Sequence, residues 1–262
     1  MKDRYQFAQE IVQKAGEYIL REFKRKKFKV REKKKNQDDF VTEIDENCEK
    51  FLTSHIKEHF PDDGIVGEEG SRTTKTKSPY LWLIDPIDGT SSFVRGLKDF
   101  AVQIGILYNN KPIIGVVYAP LHEKFYHAKK DQGAFCNDTP MAVSTHKTLK
   151  SIKAVSSIRI FREIELQKMY AKVPYTVHYF MGSMGCKMAA IAEGRFDLLF
   201  SKKHGVSEWD IAGPQVILEE AGGKITFADG SKIIYNNSNP QFKKGIIITN
   251  GTCHNLILKY FK

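Results

Sequence analysis

A chain of 262 residues with 41% hydrophobic side chains is long enough to bury a sizeable core, as one large domain or two closely packed halves. No apolar run approaches the roughly 20 residues that cross a bilayer, and the N-terminus leads into no signal-peptide core, so we expect a soluble, cytoplasmic protein without a membrane span. The four cysteines, Cys48, Cys136, Cys186 and Cys253, are far apart and form no C-x-x-C pair, which argues against a disulfide framework or a zinc knuckle. The net charge of +10 is local: residues 24–35 read KRKKFKVREKKK, and the rest of the chain is near +2. Such a run can be a solvated helix end, a contact for nucleic acid or anionic membrane, or an attractor of anionic substrates beside an active site.

In chain order, Phe7, Ile11, Ala15 and Ile19 recur every four residues, which predicts an amphipathic helix over 4–24. A second helix is expected over 44–60, stopped by Pro61-Asp62-Asp63-Gly64. Its histidines, His55 and His59, are read as a partly buried helix face. Short apolar runs predict strands at 80–84, 101–108, 113–118 and 124–130, with Asn109-Asn110-Lys111-Pro112 as a hairpin turn. The second half alternates. Strands are expected at 152–157, 175–181, 196–200 and 245–249, and helices at 162–171, 183–193 and 211–221, with a last helix at the C-terminus. Pro214 is expected in the first turn of its helix, where a missing N–H is tolerated. This order predicts layered sheets and helices.

The chemistry concentrates in three acidic segments. In Leu81-Trp82-Leu83-Ile84-Asp85-Pro86-Ile87-Asp88-Gly89-Thr90 an apolar strand delivers two carboxylates into a turn stiffened by Pro86. Gly89 permits close backbone approach to an anion, and Thr90 adds a hydroxyl and an N–H at the start of a helix. Carboxylates bind hard divalent ions and N–H groups bind phosphate oxygens, the pairing that metal-assisted phosphate hydrolysis requires. Gly67-Glu68-Glu69-Gly70 precedes this segment and Glu208-Trp209-Asp210 follows it, with Asp210 opening a helix. Alone, each is also an ordinary loop or helix cap.

Together they resemble a known family. V-T-E-I-D at 41–45, G-E-E at 67–69, D-P-I-D-G-T about 16 residues further on, and W-D opening a helix that ends in E-A-G-G are similar to the inositol monophosphatase family, over residues 5–258. The resemblance implies an α-β-α-β-α layered fold, with an α+β half over about 1–145 and an α/β half over about 146–262. It also implies a homodimer, sensitivity to lithium, and a Mg2+-dependent phosphomonoesterase with two to three ions per site. By the same resemblance Glu68, Asp85 and the carbonyl of Ile87 hold one ion, and Asp85, Asp88 and Asp210 a second. Asp45 supports a third site through water, Glu68 and Thr90 position the attacking water, and Gly89 and Thr90 bind phosphate through their amides. Ser183 stands where the family places a substrate-contacting serine.

The substrate class implied is a small phosphorylated metabolite, first an inositol phosphate or related sugar or polyol phosphate. Two features pull elsewhere. Where inositol-specific members place a glutamate, seven residues before the W-D aspartate, this chain has Lys203, followed by His204. These two would suit a second anionic group. The segment WDIAGPQVILEEAGGKIT is also similar to the branch that removes the 3′-phosphate from adenosine 3′,5′-bisphosphate, whereas GTSSFVRG and IIITNGTCHNLIL are closer to inositol and histidinol phosphatases. Fructose 1,6-bisphosphate is a further candidate. A non-enzymatic reading, binding of RNA or an anionic membrane through Lys24–Lys35, is not favoured, because a protein without catalysis has no need of every carboxylate.

Overall fold

The computed structural model describes residues 3–34, 39–73, 76–236 and 238–261. Lys35, the last residue of the basic run, lies outside them. The helices are α1 (Arg4–Arg25), α2 (Glu43–His59), α3 (Thr90–Val94), α4 (Ile164–Ala171), α5 (Met184–Ala192), α6 (Glu208–Glu220) and α7 (His254–Leu258). A short antiparallel hairpin pairs β1 (Val30–Lys34) with β2 (Asp39–Thr42). The larger sheet contains β3 (Gly64–Gly67), β4 (Arg72–Thr73), β5 (Tyr80–Asp88), β6 (Ala101–Tyr108), β7 (Lys111–Ala119), β8 (Lys124–Lys129), β9 (Ala134–Cys136) and β10 (Thr139–Pro140). Its order is β10-β9-β8-β7-β6-β5-β3-β4. The smaller sheet takes β11 (Lys153–Ser156), β12 (Val177–Phe180), β13 (Leu198–Ser201), β14 (Lys224–Phe227) and β15 (Ile246–Thr249), in the order β12-β11-β13-β15-β14.

Strand alternation builds the layers. In β5, Trp82 and Ile84 face a cluster with Phe7, Ile11 and Ile19 of α1 and Leu52 and Ile56 of α2, while Leu81 and Leu83 face the opposite cluster. That second cluster contains α5 and α6 residues together with Leu199, Ile246 and Ile248 of the smaller sheet. The alternate residues Leu198, Phe200 and Ile247 point away, onto Met169 and Tyr170 of α4 and Ile257 of α7. The result is helix, sheet, helix, sheet, helix, the layered class the sequence predicts, with α5 and α6 between the two sheets.

Some expected boundaries move. The hairpin turn is two residues, Asn109 and Asn110, both at positive φ as a type I′ turn requires, so β7 starts at Lys111. Helix α6 starts at Glu208, three residues earlier than expected, because Asp210 Oδ2 accepts the backbone N–H of Ser207 at 2.5 Å and closes a capping box. Pro214 is therefore inside the helix and not in its first turn. A proline there leaves the carbonyl four residues back without its helical N–H. That carbonyl belongs to Asp210, and Gln103 Nε2 of β6 donates to it at 3.1 Å.

Helix α6 meets the larger sheet at backbone contact. A Cβ built on Gly105 would lie 2.5 Å from the Gly213 nitrogen, and one on Gly115 would lie 2.0 Å from the Gly213 oxygen. Neither glycine needs a positive φ, so the requirement is space alone. We predict that Gly115→Ala lowers unfolding free energy by about 1–3 kcal/mol or more, the range for overpacking a tight core. Urea denaturation measures this, and a midpoint equal to the parent's would mean that α6 can move off the sheet without cost.

Candidate active site

Three carboxylates converge where α6 crosses the end of β5. In a regular strand, residues three apart face opposite sides. Between Asp85, opposite Gln103, and Asp88, opposite Ala101, β5 carries one extra residue against β6. This bulge restores both aspartates to one side. Asp210 reaches them from the first turn of α6, and one carboxylate oxygen from each of the three lies within 4.8 Å of the others. Glu68 follows β3, which runs parallel to β5, and its backbone N–H donates to the Ile84 carbonyl at 3.1 Å, next to Asp85. Burial pushes Asp85 well above the ordinary carboxylate range, reinforced by the charges of Glu68, Asp88 and Asp210. Burial and the charges of Glu68 and Asp88 do the same to Asp210.

The partners of these groups differ. Asp88 caps α5, accepting hydrogen bonds from Ser183 Oγ (2.5 Å) and from the backbone N–H groups of Met184 (2.9 Å) and Gly185 (2.5 Å). Asp85 Oδ2 accepts Gln103 Nε2 at 3.3 Å, but its Oδ1 is buried with no hydrogen-bond donor among the described residues, and the neighbouring Glu68 carboxyl raises the Asp85 pKa further. Leaving such an acceptor dry costs on the order of 1–3 kcal/mol, more for a charged group. A cation would satisfy it, and an all-oxygen donor set suits a hard divalent ion. The residues present therefore fit a metal.

Beside this cluster, the Thr90 hydroxyl lies 3.1 Å from Asp45 Oδ1 and 3.0 Å from the Ile87 carbonyl. Asp45 is fully buried on α2, and its Oδ2 accepts the Thr42 N–H (2.8 Å) and Thr42 hydroxyl (2.5 Å). Burial raises its pKa to about 6, against the lowering effect of the Thr42 bonds and with help from the charge of Glu68.

A family model for the inositol monophosphatase family matches residues 1–262. The chain belongs to this family. It is 31% identical to the fructose-1,6-bisphosphatase/inositol-1-monophosphatase of Thermotoga maritima over 98% of its length and 95% of that protein's. It is 35% identical to the inositol-1-monophosphatase of Bacillus subtilis, covering 82% and 84% of the two chains. Among solved structures, the Thermotoga maritima IMPase superposes with a TM-score of 0.84 at 31% identity, covering 99% of this chain and 97% of that one. The extragenic suppressor protein SuhB from Bartonella henselae superposes with a TM-score of 0.86 at 25% identity, covering 97% and 96%. As a member of the inositol monophosphatase family, the chain is a phosphatase of small phosphorylated metabolites, and its acidic triad can hold a metal.

The remaining predicted residues fall in two groups. Gly89 is the N-cap of α3 at φ +92, where a Cβ would lie 2.8 Å from the Asp99 carbonyl. Ser183 is buried, capping α5 and bonding to Asp88. Lys203 and His204 instead occupy an exposed turn, with the Lys203 N–H on Glu165 Oε1 (3.1 Å) and the His204 N–H on the Phe242 carbonyl (3.0 Å). Among the described residues, Lys187 is a cation whose charge acts on Asp88 and Asp210.

Sequence reasoning missed three residues here. Lys187 is buried, and its ammonium donates to the carbonyls of Gly182 (2.8 Å) and Met181 (3.4 Å), with burial lowering its pKa. Gln103 links Asp85 to the carbonyls of Trp209 and Asp210. Glu49 is buried under the turn that carries Glu68. The first two had a signal: a lone lysine in the otherwise apolar MGCKMAAIA, and a lone amide in the strand AVQIGILY.

These shifts make stability depend on pH and on metal. The folded protein holds protons on Asp45, Asp85 and Asp210 that the unfolded chain has lost above about pH 4. The contribution of these three carboxylates to stability therefore falls as pH rises from about 4 through 6 and beyond. His127, His178 and His254, whose pKa values burial lowers, act in the opposite sense, so the metal increment isolates the carboxylates: we predict that a saturating divalent cation raises the Tm measured against EDTA more at pH 8 than at pH 5. Scanning fluorimetry at both values tests this, and an equal increment would count against a carboxylate site.

Proposed function

We propose that the chain is a Mg2+-dependent phosphomonoesterase, acting on an inositol phosphate or a related sugar or polyol phosphate. The observation that carries this reading is the buried acidic cluster with the partnerless Asp85 Oδ1, in a chain of this family. In this reading Glu68, Asp85 and the Ile87 carbonyl hold one ion, Asp85, Asp88 and Asp210 hold a second, and Asp45 supports a third through water. Bound there, the ions supply a hydroxide-like nucleophile at neutral pH and neutralise charge on the leaving oxygen. Glu68 and the Thr90 hydroxyl orient the attacking water for in-line displacement. Asp45 keeps the Thr90 hydroxyl in one orientation and, with its raised pKa of about 6, can accept a proton near neutrality. The amides of Gly89 and Thr90 bind the phosphate oxygens.

The printed activities of the relatives, inositol-1-monophosphatase and fructose-1,6-bisphosphatase/inositol-1-monophosphatase, support a sugar or polyol phosphate. Nucleotide 3′,5′-bisphosphates take second place, because exposed Lys203 and His204 offer no preformed seat for a second anion. Lithium inhibition, a cytoplasmic location and a homodimer complete the proposal. The exposed Ile158, Phe161, Ile164, Val177 and Tyr179, around edge strand β12, are apolar surface that a second subunit would cover.

Two predictions follow from these roles. Asp85→Asn should lower kcat at least about a hundredfold, since it weakens both proposed ion sites. The same exchange removes a buried carboxyl that folding must protonate at neutral pH, so it should raise the Tm measured in EDTA. Asp88→Asn is a poorer test, because it also strips acceptors from the N-terminus of α5. Near-parental turnover of Asp85→Asn in saturating Mg2+ would remove the metal assignment.

The second prediction concerns substrate. In a Mg2+ phosphate-release panel, inositol 1-phosphate should show a higher kcat/KM than adenosine 3′,5′-bisphosphate, histidinol phosphate and fructose 1,6-bisphosphate. Lys203→Glu should change these ratios less than about threefold, as expected for an exposed charge. Fastest turnover of the adenosine compound, with its advantage lost in Lys203→Glu, would transfer the assignment to a bisphosphate nucleotidase.

A further inference from the structure

Helix α2 presents two buried carboxylates one turn apart, Asp45 and Glu49, on one face. Asp45 meets Thr90. Glu49, 2% exposed, accepts the backbone N–H of Glu69 on Oε2 at 2.7 Å and the backbone N–H of Ser71 on Oε1 at 2.8 Å. The turn it grips is closed by the Gly67 N–H on the Ser71 carbonyl at 2.7 Å. Gly67 lies directly on the carboxylate: a Cβ there would be 2.4 Å from Glu49 Cδ. Glu68 is thus fixed on both sides, by its own N–H on Ile84 and by its neighbour's N–H on Glu49.

Burying a carboxylate without bonded partners is costly, so a merely packed helix face would be apolar at position 49. Two N–H groups facing one side chain need two acceptor oxygens, and an ionised carboxylate is the side chain that supplies both with no donor of its own. We propose that Glu49 is a positioning residue for Glu68. It sets the place of Glu68 relative to Thr90, so that one helix aligns both groups assigned to the attacking water, through Glu49 on one turn and Asp45 on the previous one. The inference rests on the reading of Glu68 as metal ligand and water-orienting group.

Glu49→Gln keeps the shape but turns an amide N–H2 toward one of the two N–H donors. Glu49→Asp keeps the charge but is too short to reach both. For both variants we expect kcat to fall about a hundredfold, the cost of misplacing a reacting group by about 1 Å. The Mg2+ concentration for half-activation should rise several-fold, while the substrate KM changes less than about twofold. Mn2+ affinity, read by electron paramagnetic resonance without turnover, should weaken by about tenfold, one decade of binding constant. In hydrogen exchange the amides of Glu69 and Ser71 should lose protection.

A purely structural Glu49 would lower Tm yet leave kcat per folded molecule and Mn2+ affinity unchanged, and that result overturns the proposal. Glu68→Gln separates the two ideas. If Glu68→Gln is impaired and the Glu49 variants are not, the positioning role falls alone. If Glu68→Gln binds Mn2+ and turns over like the parent, the reading of Glu68 fails and the role of Glu49 fails with it. If Glu49 acts through Glu68, adding Glu49→Gln to Glu68→Gln should weaken Mn2+ binding no further, whereas independent sites would add.

Discussion

Mutual repulsion of buried carboxylates is the constraint around which this molecule is built. At a separation of 4.8 Å, two full negative charges repel by about 3.5 kcal/mol in a medium of effective dielectric 20. Three such pairs among Asp85, Asp88 and Asp210 would reach about 10 kcal/mol, the size of a typical domain's whole stability. The fold cannot hold this set ionised unless something opposes it, and protons, hydrogen-bond donors and cations are the available means. Asp85 and Asp210 answer with pKa values raised first by burial and then by the neighbouring charges. Burial raises Asp88 as well, but three donors at the start of α5 and the charge of Lys187 oppose the rise. The unanswered share, concentrated on Asp85 Oδ1, is what a metal would take up.

Holding the set together falls to α6, which brings Asp210 to the two aspartates of β5. The helix comes close enough only because Gly105, Gly115 and Gly213 let backbone touch backbone. Pro214 is part of the same arrangement. It frees the Asp210 carbonyl, and Gln103 fills the gap while also touching Asp85. One amide side chain therefore joins the strand carboxylate to the helix that carries its partner. Asp88 makes the corresponding link to α5. Both helices between the sheets are thus tied to the carboxylates of β5, and a shift of either would be felt at the site.

Much of this was legible in the sequence, and the reason is chemical. The motif residues from 67 to 90 and from 208 to 210 are runs in which the local order of residue types already expresses a turn, an ion ligand and an anion cradle. The layers were legible because alternation in segments such as Leu81–Ile84 and the four-residue recurrence from Phe7 to Ile19 are local. What escaped was long-range. Glu49 acts across 20 residues on Glu69, and nothing near it in the sequence distinguishes it from Glu43 and Glu46 of the same helix, which bond to the β1 hairpin. Pro214 was placed by the rule for helix starts, yet the capping box Ser207-Glu208-Trp209-Asp210 outweighs that rule, since a neighbour on another strand satisfies the carbonyl that proline exposes. Lys203 drew attention through its position in a motif, but the backbone bonds of that turn leave its side chain in solvent.

A site this acidic repels the dianionic phosphate it must admit, which gives the basic run a physical meaning. Lys24 and Arg25 end α1, and Val30–Lys34 pairs with β2, which packs against α3 beside the Asp85–Thr90 turn. The hairpin is anchored to α2, with Arg31 on Glu46 and the Lys29 N–H on Glu43. Those pairs cancel only part of its charge. Positive charge on this hairpin would attract an approaching phosphate electrostatically, an effect that physiological salt screens beyond about 8 Å. Once inside, its charge would be balanced locally by the proposed cations and backbone amides, and distant lysines would matter little. In that arrangement the basic run would bear on encounter, through its dependence on salt, while the carboxylate cluster and α2 would bear on the chemical step.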